Sequence, residues 1–332
     1  MGKIEAGYEY EKELLSRKKD QEKKDALAQA DLKRQKLTTW SVAGGGSLAV
    51  LLALVTLRGY RNKKRANQLL REQKNIIEER NKDITDSINY AKRIQQAVLR
   101  EEEHVTKHLP EHFIFFEPKD IVSGDFYWGA EKKGYWYLAA VDCTGHGVPG
   151  AFMSMLGISF LNQIISEENG LLTPAEILNK LREKILQELR QTGKENENKD
   201  GMDISLIRLN LITGELQWAG ANNPIYIVRN EELITVKPDK QPIGYFFNMQ
   251  PFTNHEFKME KGNRLYLFTD GYADQFGGPE GKKFKYAALK NLLVSLQMFD
   301  MSKQKELLRN VFENWKGKME QVDDVCLIGV TI

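Results

Sequence analysis

Five aspartates beyond the first third of the sequence stand at the ends of apolar, strand-like runs: Asp125, Asp142, Asp270, Asp323 and Asp324. A carboxylate in such a position costs desolvation energy unless a partner neutralises it. Several carboxylates directed at one point also repel each other unless a cation lies between them. Oxygen ligands suit Mg²⁺ or Mn²⁺ rather than zinc. The aspartate pattern therefore predicts a divalent-metal site.

The chemistry expected of such a site is hydrolysis of a phosphoryl group. Two metal ions held by shared carboxylates can activate a water molecule and clamp the phosphoryl group for in-line attack. One aspartate followed by glycine is also ordinary turn chemistry. Because four of these positions lie at strand edges, and two of them in glycine-rich loops, the set favours a site over four separate turns.

The segment after residue 111 alternates strand-like and helical runs. The strand-like runs are residues 135–141, 204–210, 215–219, 225–228, 233–236, 264–269 and 325–331, and the helical runs are residues 151–165, 174–191, 286–297 and 303–316. The second helical run opens with Thr173, Pro174 and Glu176, which form a capping box with proline at the first helical position. Short turns join most of the strands, which favours antiparallel sheets over a doubly wound parallel sheet.

The first third of the chain is different in composition. Residues 1–37 are charged and predict a solvated helix, whereas residues 38–57 carry no charge and are long enough to span a bilayer as a helix. The basic cluster between Arg58 and Arg65 favours a cytoplasmic C-terminal part, although basic residues also precede the span. A buried core helix is the alternative, and Gly44–Gly46 weakens both interpretations.

Residues 58–109 predict a cytoplasmic helical linker with one apolar column: Leu70, Ile77, Ile84, Ala91 and Val98 recur every seven residues. One column makes a weak parallel coiled-coil seam, because a strong seam has two. We expect a dimeric stalk, with an amphipathic helix packed on its own domain as the alternative.

Four segments also resemble a known family in their order along the chain: residues 119–128 (KDIVSGDFYW), 142–150 (DCTGHGVPG), 269–271 (TDG) and 323–324 (DD). They are similar to the SpoIIE/RsbU branch of the metal-dependent, type 2C-like (PPM) Ser/Thr protein phosphatases. The resemblance extends from about residue 87 to residue 332. It implies an α+β fold for residues 110–332, a four-layer α-β-β-α sandwich of two antiparallel sheets flanked by helices, with two Mn²⁺ or Mg²⁺ ions at one end.

The resemblance also implies metal-ligand roles. Asp142 would bridge both ions, Asp125 would hold one, and Asp270 and Asp323 would hold the other. The backbone carbonyl of Cys143 would be a further ligand.

Other roles stay open. Asp324 is either the direct ligand in place of Asp323 or its partner, and Asp203 either helps to hold a weak third ion or makes a structural hydrogen bond. His146 either donates a proton to the leaving oxygen or only shapes its loop. Lys119 either contacts substrate phosphate or is a solvated surface lysine.

The resemblance implies a bacterial protein Ser/Thr phosphatase, and residues 38–57 predict that one helix anchors it in the cytoplasmic (inner) membrane. The resemblance also implies a phosphorylated regulatory protein as partner, such as an anti-sigma-factor antagonist in a partner-switching pathway. The alternatives are an inactive signalling scaffold of the same fold or another two-metal phosphohydrolase, such as a nuclease. The 48 basic and 46 acidic residues are nearly balanced and give no general attraction to nucleic acid. The two cysteines cannot form a disulfide framework, which suits a reducing compartment.

Cysteines placed singly at positions 70, 77 and 84 test the dimeric stalk. In the full chain in membranes, oxidation is expected to give a disulfide-linked dimer, because residues in one seam of a parallel coiled coil face their own copies. An Asn75→Cys variant, on the opposite face, is the control. The absence of a dimer on a denaturing gel at every seam position would rule out the stalk.

Overall fold

The computed structural model describes residues 2–99, 109, 111–194 and 197–332. The chain divides into two compact units, the first ending at Lys82 and the second comprising Asp83–Ile332. The start of the predicted catalytic domain, Pro110, and residues 100–108 of the predicted linker lie outside the described residues.

The N-terminal third is one continuous helix, α1 (Gly2–Val98). The glycines of the uncharged segment do not interrupt it, since a glycine costs only about 1 kcal/mol in a helix whose other residues propagate it. Leucines of this segment, such as Leu51 and Leu54, are exposed. Within the described residues, two helices are long and apolar enough to cross a membrane. Helix α1 is unburied over its apolar window, whereas half of the apolar window of Gly147–Glu167 is buried.

The second unit is built from strands and short helices. Its strands are β1 (Glu111–Glu117), β2 (Phe126–Lys132), β3 (Tyr135–Cys143), β4 (Met202–Leu209), β5 (Glu215–Ala221), β6 (Ile225–Arg229), β7 (Glu232–Val236), β8 (His255–Lys258), β9 (Arg264–Phe268), β10 (Phe276–Gly277), β11 (Lys282–Lys283) and β12 (Val325–Thr331). Its helices are α2 (Gly147–Glu167), α3 (Pro174–Glu188), α4 (Gly271–Asp274), α5 (Tyr286–Ser295) and α6 (Met301–Lys316).

Two five-stranded antiparallel sheets form the centre of this unit. The first has the strand order β1-β12-β9-β6-β7 and the second the order β2-β3-β4-β5-β8, while β10 and β11 form a small separate pair. The predicted α+β class with two antiparallel sheets and flanking helices is confirmed.

Three apolar clusters show how the layers pack. One lies between the two sheets and includes Leu138, Ile207 and Leu267. A second lies between the β2–β8 sheet and helices α2 and α3, and a third lies between the other sheet and helices α5 and α6. Strand β3 alternates between two of these clusters, because successive side chains point to opposite faces of a strand. It is therefore apolar on both sides until it reaches Asp142.

The predicted elements correspond closely to the observed ones. Every predicted strand-like run overlaps a strand, and every predicted helical run overlaps a helix. The capping box is present: the Thr173 hydroxyl accepts from the Glu176 backbone N–H, and the Glu176 carboxylate accepts from the Thr173 N–H. The sequence did not predict strands β1, β2 and β8, the short pair β10 and β11, or the four-residue helix α4.

Leu267→Ala tests the core between the sheets. Leu267 is fully buried there, so its truncation is expected to lower the free energy of unfolding by about 2–5 kcal/mol. Ile212→Ala removes an aliphatic side chain that is 95% exposed and is expected to change it by less than about 0.5 kcal/mol. Denaturant unfolding of both variants checks this, and equal destabilisation would contradict the packing.

Candidate active site

The strand registers bring the aspartates of both sheets to one end of the sandwich. In the β2–β8 sheet, Asp142 near the end of β3 pairs directly with Asp203 near the start of β4, and Asp125 comes just before β2, next to the pair of Phe126 and Val141. In the other sheet, Asp270 comes just after β9 and Asp323 just before the neighbouring strand β12.

A cavity of about 300 Å³ opens where the two sheets meet at this end. Its wall contains the aspartates Asp142, Asp203, Asp270 and Asp323, together with Cys143 and His146. Asp125 is only 3% exposed and is near enough to Asp142 for the charge of Asp142 to raise its pKa, as Asp270 does for Asp142. The structure therefore brings the predicted aspartates together from five separate segments.

Burial and mutual repulsion dominate the electrostatics of this cluster. Burial raises the pKa of Asp125 and Asp142 well above the usual range, and the charge of Asp142 raises that of Asp125 further. Burial and the neighbouring Asp323 raise the pKa of Asp270 to about 6. Burial also raises the pKa of Asp203 and of Asp323. The cluster thus resists ionisation unless positive charge is supplied.

The residues present fit a divalent cation. The Oδ2 atom of Asp125 is buried and has no hydrogen-bond partner in the part of the chain that the structure describes, which is costly for a carboxylate. Among the described residues, no group of three or more His, Cys, Asp or Glu side chains is arranged to hold a metal ion by itself. Mg²⁺ does not require such a group, because it keeps several waters and takes one or two carboxylates.

The neighbouring Asp323 and Asp324 differ sharply in their surroundings. Asp323 lines the cavity. Asp324 is buried, and its two carboxylate oxygens accept from the backbone N–H groups of Lys119 (2.7 Å) and Gly124 (2.8 Å). Asp324 therefore fixes the segment that leads to Asp125, and each of its oxygens already has a backbone partner.

Asn222 is a residue that sequence reasoning did not assign. It follows β5 in the left-handed region, at φ 56°, which asparagine tolerates better than most residues. Its side-chain amide donates to Asp203 Oδ1 at 2.9 Å and favours the charged form of that carboxylate. The hydrogen bond orients Asp203, whatever else Asp203 binds.

Glycines allow the loops of the site to touch. A Cβ atom on Gly124 would collide with the backbone carbonyl oxygen of Gly145 and approach the Cα atom of Gly150. A Cβ atom on Gly271, next to Asp270, would collide with the carbonyl oxygen of Asp324. The loops that carry Asp125, Asp142 and Asp270 are thus held in place by backbone contacts that no other residue type permits.

The last turns of α1 also contact the site. The side-chain amide of Gln95 donates to the carbonyl of Ser123 (2.6 Å) and to the hydroxyl of Ser154 (2.9 Å), while its oxygen accepts from the Ser123 N–H. Ser123 lies two residues before Asp125, and Ser154 is on helix α2, which follows the Asp142 loop. Gln95 thus ties α1 to both of these segments.

The two predicted polar side chains outside the carboxylate cluster differ in position. His146 lines the cavity, and its Nδ1 atom lies 2.7 Å from Asp120 Oδ2. The side chain of Lys119 is not part of the cavity wall, although its charge lowers the pKa of Asp323. Lys199, which sequence reasoning did not single out, does line the cavity.

The fold and this carboxylate-lined cavity define a PP2C-type protein serine/threonine phosphatase, a metal-dependent class of hydrolase. The sequence profile of the family described as Stage II sporulation protein E (SpoIIE) matches residues 132–332, and the chain belongs to this family. The resemblance to the SpoIIE/RsbU branch and the expectation of an enzyme are confirmed. No curated protein matches the chain in sequence.

Solved structures agree with this assignment. The SiaA-PP2C domain of Pseudomonas aeruginosa is 30% identical, with a TM-score of 0.68, and the match covers 76% of this chain and 98% of that one. The PP2C domain with a regulatory-domain fragment of Bacillus subtilis SpoIIE is 19% identical at TM-score 0.55, covering 67% of this chain and 61% of that one. The RsbU and RsbW domains of a Mycobacterium tuberculosis protein are 20% identical at TM-score 0.53, covering 67% and 60%. The last two show the fold.

Asp142→Asn tests the repulsion within the cluster. The pKa of Asp270, raised to about 6, means that this carboxyl keeps a proton in the folded chain where it is ionised in the unfolded chain, so stability falls as pH rises from about 4 to 6. The raised pKa of Asp142 acts in the same direction. In metal-chelating buffer, the neutral amide is expected to raise the free energy of unfolding by about 1–2 kcal/mol at pH 7.5. A smaller gain is expected at pH 5, because protonation of carboxyls in the parent relieves the same repulsion.

Thermal unfolding at both pH values gives the measurement. Glu306→Gln removes an exposed carboxylate that pairs with Lys303 on α6 and is the matched control. A variant less stable than the parent at pH 7.5 would contradict the raised pKa of Asp142.

Proposed function

We propose that the chain is a membrane-anchored phosphatase that hydrolyses phosphoserine or phosphothreonine on a regulatory protein, with two Mn²⁺ or Mg²⁺ ions in the carboxylate-lined cavity. The observation that carries this proposal is the convergence of buried, mutually repelling carboxylates from both sheets on one cavity. Such a cluster is costly to keep unless it serves a cation.

The proposed ligands follow from the positions of the side chains. Asp142 interacts with both Asp125 and Asp270, and these three carboxylates together with Asp323 would hold the two ions. The backbone carbonyl of Cys143 is a further proposed ligand. Within the pair at 323 and 324 we assign the direct role to Asp323, because both oxygens of Asp324 are used by backbone N–H groups. Asp203 is assigned to a weaker third ion.

The bound ions supply an activated water nucleophile and neutralise charge on the phosphoryl oxygens. The chain's own residues bind and orient the phosphoryl group. His146 provides a proton for the leaving oxygen of serine or threonine, which is a poor leaving group without one. Positive charge for the incoming phosphate comes from Lys199 in the cavity wall, and Lys119 contributes through its charge close to Asp323.

Helix α1 supports the proposed anchor and stalk. Its uncharged residues 38–57 extend about 30 Å as a helix, the thickness of a hydrocarbon core. Their leucines are exposed, which is favourable in lipid and unfavourable in water. We assign residues 1–37 to a charged helical segment, 38–57 to the span, 58–109 to a cytoplasmic dimeric stalk and 110–332 to the phosphatase domain. Gln95 and the partly buried Val98 and Leu99 connect the stalk to the domain.

Membership of the SpoIIE family supports a protein substrate. We propose a small phosphorylated regulator of the anti-sigma-factor-antagonist kind, encountered at the cytoplasmic face of the membrane. The nearly balanced composition of the chain, with 48 basic and 46 acidic residues, gives no general attraction to nucleic acid.

Phosphate release by the full chain in detergent tests the activity. Metal-depleted protein is expected to be inactive on a phosphothreonine peptide and to gain activity as Mn²⁺ or Mg²⁺ is added. Asp142→Asn and Asp270→Asn should each lower kcat at least 100-fold, because each removes a proposed metal ligand. Glu306→Gln is the matched control. A folded parent chain that releases no phosphate at any metal concentration would defeat the proposal.

Calorimetric titration of Mn²⁺ separates the two neighbouring aspartates in the same preparations. Asp323→Asn is expected to weaken Mn²⁺ binding about 10-fold or more while leaving the unfolding temperature of the metal-free chain unchanged or higher. Asp324→Asn is expected mainly to lower that temperature, because it disturbs the acceptors of the Lys119 and Gly124 backbone N–H groups. The reverse result would assign the direct role to Asp324.

A further inference from the structure

Asp120 is a carboxylate outside the metal cluster that faces the cavity histidine. It belongs to the segment 119–128, but lies 26 residues before His146, and no periodicity connects the two. Its Oδ2 atom lies 2.7 Å from His146 Nδ1. The side chains are 44% and 52% exposed, respectively. Exposed side chains of this kind usually move freely, so the contact needs support from the backbone on both sides.

The structure provides that support. The backbone N–H of Lys119, next to Asp120, donates to the buried Asp324. On the other side, Gly147 adopts φ 64°, and a Cβ atom there would lie 3.2 Å from Asp120 Oδ2. Glycine therefore leaves room for the carboxylate beside the ring. The backbone beside each residue, at Lys119 and at Gly147, therefore supports the contact between Asp120 and His146.

The role of His146 at the start of helix α2 points the same way. His146 is the N-cap residue of α2, yet its side chain makes no capping hydrogen bond within the described part of the chain. The ring is instead directed to Asp120. With Nδ1 committed to the carboxylate, Nε2 is the ring nitrogen left for another partner, and the ring lies in the wall of the cavity.

We propose that Asp120 is a positioning residue that holds His146 with its Nδ1–H donated to the carboxylate, so that the Nε2 proton is presented to the leaving oxygen of the substrate. This inference rests on the proposed function and adds a residue to it. A carboxylate behind a histidine fixes the tautomer and the orientation of the ring and stabilises its protonated form.

The proton transfer balances as follows. Water oxygen bonds to phosphorus as the bond from phosphorus to the threonine oxygen breaks, and the threonine oxygen takes the Nε2 proton of His146. Of the two protons of the water, one stays on the released hydrogen phosphate and the other returns to the imidazole through solvent. Asp120 keeps its contact with Nδ1 throughout and contacts neither the substrate nor the attacking water.

Substrates with different leaving groups separate this role from a structural one. A phosphothreonine peptide has an alkoxide leaving group that requires a proton, whereas p-nitrophenyl phosphate has a leaving group that departs without one. In the full chain with Mn²⁺, Asp120→Ala and Asp120→Asn are expected to lower kcat on the peptide about 10- to 100-fold at unchanged KM, and on p-nitrophenyl phosphate less than about threefold. His146→Ala should show the same selectivity, and the double variant should be no slower than His146→Ala alone.

The matched control is Glu306→Gln, which removes an exposed, lysine-paired carboxylate on α6 and should affect neither substrate. Equal losses on both substrates, no loss on the peptide, or additive losses in the double variant would each overturn the role of Asp120.

Nitrogen-15 NMR of histidine-labelled chain, assigned with His146→Ala, is the second readout and does not depend on activity. The parent is expected to show a protonated Nδ1 on His146, and Asp120→Ala is expected to lose it. A parent inactive on both substrates would defeat the proposed function, and the NMR result would still decide the contact: a His146 spectrum unchanged by Asp120→Ala would overturn it.

Discussion

Repulsion between buried carboxylates is the constraint on which the rest of the catalytic unit depends. Asp125, Asp142 and Asp270 lie where the two sheets meet, and burial together with their neighbours raises the pKa of each. Without a constraint from the backbone, such carboxylates would move apart or turn towards solvent. They stay together because each is attached to an end of a strand whose other residues are fixed by apolar packing. Strand β3 is buried on both faces, so the energy that holds Asp142 in place comes from the core.

Hydrogen bonds around the carboxylate cluster position its members without neutralising their negative charge. The carboxylate of Asp324 accepts hydrogen bonds from backbone N–H groups and does not line the cavity, and the amide of Asn222 orients Asp203. Gln95 brings the end of α1 into the same network through Ser123 and Ser154. Asn222 contacts a cavity carboxylate directly, whereas Asp324 and Gln95 hold the backbone that leads to Asp125. The site is therefore a preorganised arrangement, in which the strands set position and the surrounding hydrogen bonds set direction.

The sequence predicted those parts of the fold that leave a local pattern. Seven strands and four helices were recognised from apolar runs and turns, and the aspartates from their positions at strand ends. Strand β2 was not recognised because Gly129 and two charged residues interrupt its apolar run, and the four-residue β8 alternates charged residues along a sheet edge. The contacts of Asp120, Asn222 and Gln95 join residues 26, 19 and 28 positions apart. Such contacts follow from the tertiary fold, and no regular spacing in the sequence predicts them.

The close contact of Gly124 with Gly145 and Gly150 has a consequence for how this site can change in evolution. The atom that a new Cβ would strike at Gly124 is the carbonyl oxygen of Gly145, which belongs to the main chain. A large side chain opposite a glycine can be shortened by a second mutation, but a peptide carbonyl is present whatever the residue. No compensating substitution in the facing loop can therefore restore the space. The two loops therefore have to keep their glycine and backbone positions together. Substitutions that alter substrate preference are expected on the surface around them.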